Sequence, residues 1–232
     1  MSKQHNLEAK RIAGYAAAEQ VQDGMVVGLG TGSTAQYAIQ RVGERIQEER
    51  IAVTGIPTSY QSALRAREAG ILVVDLPGVS SIDLTIDGAD QIDARFNLIK
   101  GGGAAHTREK CVADASERIL IVADATKVSE CLTAPVPVEV VPYATVGVGR
   151  HIRALGGEPV IREAVRKDGP VITDNGNFVL DCAFGTINEP AALAARLNAI
   201  PGVLTCGLFT EYAEKITVLI GESEGCRTLT RR

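Results

Sequence analysis

The chain has no stretch approaching the ~20 consecutive apolar residues that a membrane-spanning helix needs, and it has no run of lysine and arginine. The first absence argues against a protein threaded through a bilayer. The second, with a formal net charge of −4, argues against a general nucleic-acid surface. There is no C-x-x-C spacing, and the five cysteines (Cys111, Cys131, Cys182, Cys206, Cys226) are odd in number. Such a set reads as scattered, reduced, mostly buried small residues. Internal repeats and low-complexity segments are missing too. The opening residues Met1-Ser2-Lys3-Gln4-His5-Asn6 lead into a polar helical pattern, not the apolar core of a secretory leader. The expected compartment is the cytoplasm.

What is there is globular. With 232 residues, 45% hydrophobic and 22% charged, the chain sits near the average for folded domains. It can bury a substantial core as one large domain or two small ones. Asn6 can cap a first helix running to about Val21, with Glu8 in its first turn. A strand from Met25 to Leu29 follows the Asp23-Gly24 break. Ala35, Ala38, Ile39, Val42 and Ile46 then recur at helical spacing. Ile51-Ala52-Val53 is strand-like, and Ser59 caps a helix to Ala69 with Gly70 in the stop position. Residues 71–74, 84–86 and 119–122 read as strands, with a helix over 107–115. Strands alternating with helices predict an α/β fold with a mainly parallel sheet covered by helices.

The texture changes after Lys127. Residues 135–142 form a proline-studded strand, expected at a sheet edge. A helix over 145–155 ends at Gly156-Gly157. Val160-Ile161 is followed by residues 171–173 and 178–180, paired through the turn Asp174-Asn175-Gly176-Asn177. A helix over 190–199 has proline in its first turn, and residues 203–206 are a strand. The order β-α-β-β-α-β predicts a smaller α+β, ferredoxin-like domain. Residues 216–220 can rejoin the first sheet. The expected domains are 1–132 with 207–232, and 133–206.

Three strand ends carry the chemistry. Lys100-Gly101-Gly102-Gly103 follows Leu98-Ile99 and precedes a helix bearing Glu109. Each glycine costs ~0.5–1 kcal/mol in a regular element, so three together suit a turn that leaves room for a ligand. Gly30-Thr31-Gly32-Ser33-Thr34 follows another strand. It can be a phosphate cradle at a helix start, a tight turn with serine as cap, or a dinucleotide loop. For the last, Ser33 stands where a glycine is needed and no acid lies ~20 residues on. In Asp87-Gly88-Ala89-Asp90 the two acids can be metal ligands, acid-base groups, sugar-hydroxyl contacts or plain turn-formers; we favour hydroxyl contacts. Glu109 can be a general base, or with Lys110 a solvated helix face. Lys100 can stabilise an oxyanion, and Lys127 can meet an anion. His5, His106 and His151 are dispersed and read as structural. In open α/β sheets ligands bind outside the carboxyl ends of strands, so three such ends suggest a site.

Taken together, these stretches resemble the A-type ribose-5-phosphate isomerase family. The likeness runs through Gly30-Thr31-Gly32-Ser33-Thr34, Asp87-Gly88-Ala89-Asp90, Lys100-Gly101-Gly102-Gly103, Thr107-Arg108-Glu109-Lys110 and residues 171–177. It continues through residues 199–203 and 207–209, and so covers essentially the whole chain. The resemblance implies a homo-oligomeric, cofactor-free isomerase interconverting ribose 5-phosphate and ribulose 5-phosphate; no metal is expected either, because Lys100 and backbone amides can hold an enediolate without an ion. It implies Glu109 as the base. Substrate contacts would come from Thr31, Gly32, Ser33, Thr34, Asp87, Gly88, Ala89, Asp90, Lys100, Gly101, Gly102, Gly103 and Lys127, with Lys10 a further phosphate contact. The alternatives are a non-catalytic sugar-phosphate sensor, or a related sugar-phosphate deaminase or coenzyme A transferase.

Overall fold

Seven strands form the larger sheet of the computed structural model, which describes residues 3–231. Their order is Gly225–Thr230, Ile216–Glu222, Ser116–Asp124, Ile82–Gly88, Val26–Leu29, Thr54–Pro57, Leu72–Val73. All neighbours are parallel except the antiparallel edge strand Gly225–Thr230. Strands covered on both faces need apolar side chains on both, and Ile119, Leu120, Ile121 and Val122 are all buried. Val27 and Leu29 face one apolar cluster, which includes Ala13 and Ala17 of helix Lys3–Ala18 and Ile39 and Val42 of helix Ala35–Glu49. Gly28, between them, points to the other face, where Val112 of helix His106–Asp114 sits over it.

Packing divides the chain into two units. The first comprises Met1–Ala89, Arg108–Lys127 and Tyr212–Arg232; the second comprises Asp90–Thr107 and Val128–Glu211. The second holds a four-stranded sheet ordered Val203–Cys206, Val136–Val140, Phe178–Ala183, Glu158–Ile161, antiparallel throughout. Helices Thr145–Ala154 and Pro190–Asn198 supply Val148, Ile152, Ala194 and Leu197 to its core. This is the expected β-α-β-β-α-β path. A three-stranded sheet of Gln91–Ile92, Leu98–Ile99 and Leu208–Phe209 also belongs to this unit. The division by packing therefore differs from the boundaries read in sequence. Ile99, Leu132 and Leu208 bury their side chains in the second core, a long-range preference with no local signature.

Other expectations shift for identifiable reasons. The first helix starts at Lys3, so Asn6 lies within it. Residues 51–53 form a loop, tied by Asp23 accepting from the Ala52 N–H at 2.7 Å, and the strand begins at Thr54. Ser59 does cap helix Tyr60–Glu68, with Ser62 completing a reciprocal capping box. Strand Val136–Val140 is central, not an edge. Its Pro137 is tolerated because the carbonyl accepts from Gly207 N–H while the missing N–H falls on the same side, past the last paired residue Cys206. Residues 171–173 are not a strand; Phe178–Ala183 pairs with two other strands instead. Cys111, Cys131 and Cys226 are exposed, so two of the five thiols are buried, Cys182 and Cys206. Strand Gly225–Thr230 was not anticipated. Its turn relies on Gly225, with φ +138°.

Residues 171–177 form a loop because their side chains have another task. Glu139, in the centre of a strand, is fully buried. Its carboxylate accepts from Thr173 Oγ1 at 2.7 Å, Asn177 Nδ2 at 3.0 Å, Asn175 Nδ2 at 3.1 Å and the Thr107 hydroxyl. Burial alone pushes its pKa up, but the hydrogen bonds from Thr107, Asn177, Thr173 and Asn175 together prevail and hold it below the ordinary glutamate value. A carboxylate depressed on folding stabilises the protein above its unfolded pKa, and that contribution disappears as pH falls through the folded one. Glu139→Gln should therefore melt lower than the parent at neutral pH. The gap should narrow below the ordinary carboxylate range in thermal melts taken from pH 7 to 3, and a pH-independent gap would contradict this account.

Candidate active site

In the first unit, four adjacent parallel strands end side by side. Past Val26–Leu29 come Gly30 and residues 31–34; past Thr54–Pro57 come Thr58 and Ser59; Ile82–Gly88 closes with Asp87 and Gly88; and Ser116–Asp124 leads into the turn Ala125–Lys127. Asp87 is buried, and its Oδ1 accepts from Thr31 N–H at 3.2 Å and Gly88 N–H at 2.7 Å. Gly30 makes that approach possible, because a Cβ there would lie 2.2 Å from Asp87 Oδ1. The Thr31 hydroxyl turns inward to Thr58 Oγ1 at 2.8 Å and Ser59 Oγ at 2.7 Å. Ser33 is exposed at the loop's tip, where Lys10 Nζ donates to its Oγ at 3.0 Å. Thr34 stands at the N-cap position of helix Ala35–Glu49 without a side-chain capping bond. Lysine, loop amides and hydroxyl thus gather at a helix N-terminus, where the dipole favours an anion.

Glu109 is buried, 4% exposed, in the first turn of helix His106–Asp114. Val112, one turn on, faces the sheet, so Glu109 shares that inward side. The residue after the helix, Ala115, accepts from Ile82 N–H at the start of its strand. The helix therefore runs back along the sheet, which puts its first turn toward the carboxyl ends where Gly30 and Asp87 stand. Lys127 is half-buried at the same edge. Arg108 lies over the ring of exposed Tyr60, 5.0 Å from its centre.

Asp90, Lys100, Gly101, Gly102 and Gly103 belong to the second unit. Lys100 is 4% exposed, with its ammonium 5.4 Å from the centre of the Phe209 ring. The glycines form a turn closed by Ala104 N–H to Gly101 O at 2.9 Å, leaving Gly102 and Gly103 exposed. Gly101 has φ +109°, which an L side chain rarely adopts. Asp90 Oδ2 accepts from Gly102 N–H at 2.7 Å. Arg162, which carried no signal in the sequence, donates to the Gly101 carbonyl at 2.8 Å and the Gly102 carbonyl at 3.2 Å. Its partner Asp181 is nineteen residues away and meets it only through strand pairing. Thr58, likewise, carried no signal in the sequence as a partner of Thr31. His106 is fully buried. Among the described residues, no group of three or more His, Cys, Asp or Glu side chains is arranged to hold a metal ion.

Polar groups gathered at the carboxyl ends of parallel strands define an α/β protein of the kind that takes small ligands at that edge. A family model of ribose 5-phosphate isomerase A (phosphoriboisomerase A) matches residues 54–225. Ribose-5-phosphate isomerase A of Methanoregula boonei is 54% identical over 96% of this chain and 93% of its own. That of Natronomonas pharaonis is 57% identical over 93% and 94%. The structure of ribose 5-phosphate isomerase A from Methanocaldococcus jannaschii superposes with a TM-score of 0.91 at 42% identity, covering 96% of this chain and 98% of the other. A D-ribose-5-phosphate isomerase in complex with phospho-erythronic acid gives 0.92 at 41% identity, covering 96% and 97%. The chain belongs to the ribose 5-phosphate isomerase A family.

The Gly30–Asp87 approach gives a direct test of the first loop. Gly30→Ala would force its methyl against a buried carboxylate, an overpacking that costs about 1–3 kcal/mol. The variant should unfold earlier in denaturant by that amount. Unchanged stability would mean that the loop tolerates displacement of Asp87.

Proposed function

We propose that the protein interconverts D-ribose 5-phosphate and D-ribulose 5-phosphate, with Glu109 as the proton-transferring base. The observation that carries the reading is a buried carboxylate in a helix's first turn, on the strand-end edge that also holds the Lys10–Ser33 loop. Moving a carbonyl between C1 and C2 requires taking a proton from C2, holding an enediolate while the hydroxyl proton passes from O2 to O1, and returning a proton to C1. One carboxylate performs both transfers when the intermediate is cis. A partly desolvated glutamate is suited to the task. Preorganised charge at the developing oxyanion is commonly the largest contribution to such catalysis, and Lys100 with the glycine-loop amides can supply it. Asp87 and Asp90 hold those loops and can in addition meet sugar hydroxyls.

The phosphate would sit at residues 31–34, with Lys10 and Lys127 as cations. A relative's complex with phospho-erythronic acid supports this reading, since that ligand combines a phosphate with a carboxylate that is planar and anionic, as an enediolate is. The same family membership supports a cytoplasmic homodimer or homotetramer. Tyr143, fully exposed, and Val146, 77% exposed, are apolar side chains that a partner could cover.

Two measurements test the function. Unphosphorylated ribose should be a far poorer substrate than its 5-phosphate, because binding energy remote from the reacting carbons would be lost from the transition state. Comparable kcat/KM for the two would sink the phosphate assignment. Glu109→Gln keeps the shape and removes the base, and should lower kcat by ~10²–10⁴-fold while KM changes little. Near-normal turnover in that variant would exclude Glu109 as the base.

A further inference from the structure

The peptide unit joining Gly101 to Gly102 is gripped at both ends by charged side chains. Its N–H, on Gly102, points to Asp90 Oδ2 at 2.7 Å. Its carbonyl, on Gly101, accepts from Arg162 Nη1 at 2.8 Å, and the same nitrogen reaches the Gly102 carbonyl at 3.2 Å. Arg162 is itself fixed. Its Nε and Nη2 donate to the two oxygens of Asp181 at 2.8 and 2.5 Å, a bidentate fork that sets the plane of the guanidinium. Both partners ride on the four-stranded sheet: Asp181 lies within Phe178–Ala183, and Arg162, just after Glu158–Ile161, donates its N–H to Val179 O. Arg162 keeps 16% of its side-chain surface exposed and Asp181 34%.

A triple-glycine turn is the segment least able to hold one peptide orientation unaided. Without side chains, both φ signs are open to it, and a peptide can rotate at small steric cost. Rotation of the Gly101–Gly102 peptide would withdraw the N–H from Asp90 and present a carbonyl in its place. The Ala104 N–H bonds the same carbonyl at 2.9 Å, but of these two donors only Arg162 adds a charge to the restraint, because on rotation the carbonyl would have to leave a cation.

We propose that Arg162 is a positioning residue of the isomerase. Backed by Asp181, it locks the Gly101–Gly102 peptide, and through the Gly102 N–H it fixes the carboxylate of Asp90. The inference rests on the reading that Asp90 and residues 100–103 contact the sugar during turnover. The consequence is specific. Ground-state affinity from the phosphate loop, Lys10 with residues 31–34, does not pass through Arg162. The loss should therefore appear in the transition state, as a fall in kcat.

The experiment compares Arg162→Met and Arg162→Lys with the parent. Kinetics with ribose 5-phosphate, thermal melting, and calorimetric titration with phospho-erythronic acid and with inorganic phosphate are measured for each. For Arg162→Met we expect kcat about 10–100-fold lower, the range of a misplaced catalytic group, with KM within about threefold. Phospho-erythronic acid should weaken by a factor similar to the loss in kcat, inorganic phosphate should bind as before, and melting should shift little. Arg162→Lys keeps the charge but not the fork, and should recover only part of the loss. Parental kcat and parental phospho-erythronic acid affinity in Arg162→Met would overturn the proposal. So would equal weakening of both ligands together with a lowered melting temperature, which would mark a merely structural role. Failure of the underlying reading looks different: the parent itself would not isomerise ribose 5-phosphate, or Asp90→Asn would leave both kcat and phospho-erythronic acid binding unchanged.

Discussion

Backbone amides held by aspartate carboxylates are the constraint on which the candidate site depends. Glycine-rich loops have little intrinsic shape, and each loop here has its amides anchored by one acid. Asp87 accepts from Thr31 and Gly88, and Asp90 accepts from Gly102. These are charge-assisted bonds, stronger than neutral ones and selective for direction. Glycine is needed at the contact points for the same reason. A Cβ at Gly30 would collide with Asp87, and one at Gly102 would come within 2.6 Å of Asp90 Oδ1. Acid and glycine are therefore two parts of one device, repeated once in each unit.

The second unit places further charge under cover by surrounding it with donors. Glu139 sits in a strand whose neighbours Val138 and Val140 fill an apolar core. A buried carboxylate without partners would be protonated or would destabilise the fold. Four side chains, from Thr107, Thr173, Asn175 and Asn177, keep it ionised. This requirement explains the sequence Thr173-Asp174-Asn175-Gly176-Asn177 better than a hairpin turn does. The glycine, with φ +82°, shapes a loop that returns three polar side chains to one acid.

Much of this organisation was legible in the chain. The apolar run Ile119-Leu120-Ile121-Val122 announces a strand covered on both faces, and Ser59 announces a helix start. The fold class and the family followed from such local signals and from the order of motifs. Errors arose where long-range packing overrode local preference. Residues 51–53 look like a strand, but Asp23 and Gly24 hold Ala52 in a loop. The prolines of residues 135–142 suggest an edge, yet Pro137 lies where the neighbouring strand has already ended. The exposed thiols of Cys111, Cys131 and Cys226 show that residue type alone does not set burial.

By itself the sequence determined the alternation of strands and helices, the glycine loops at strand ends, and the acid nine residues after Lys100, because these are properties of neighbouring residues. Tertiary structure decided which acid holds which loop, that Lys10 reaches Ser33 across 23 positions, and that Arg162, braced by Asp181, grips a turn 61 positions away. Such pairings are made by sheet order and register, and hydrogen bonds of ~3 Å between distant segments leave no periodicity in the chain to read.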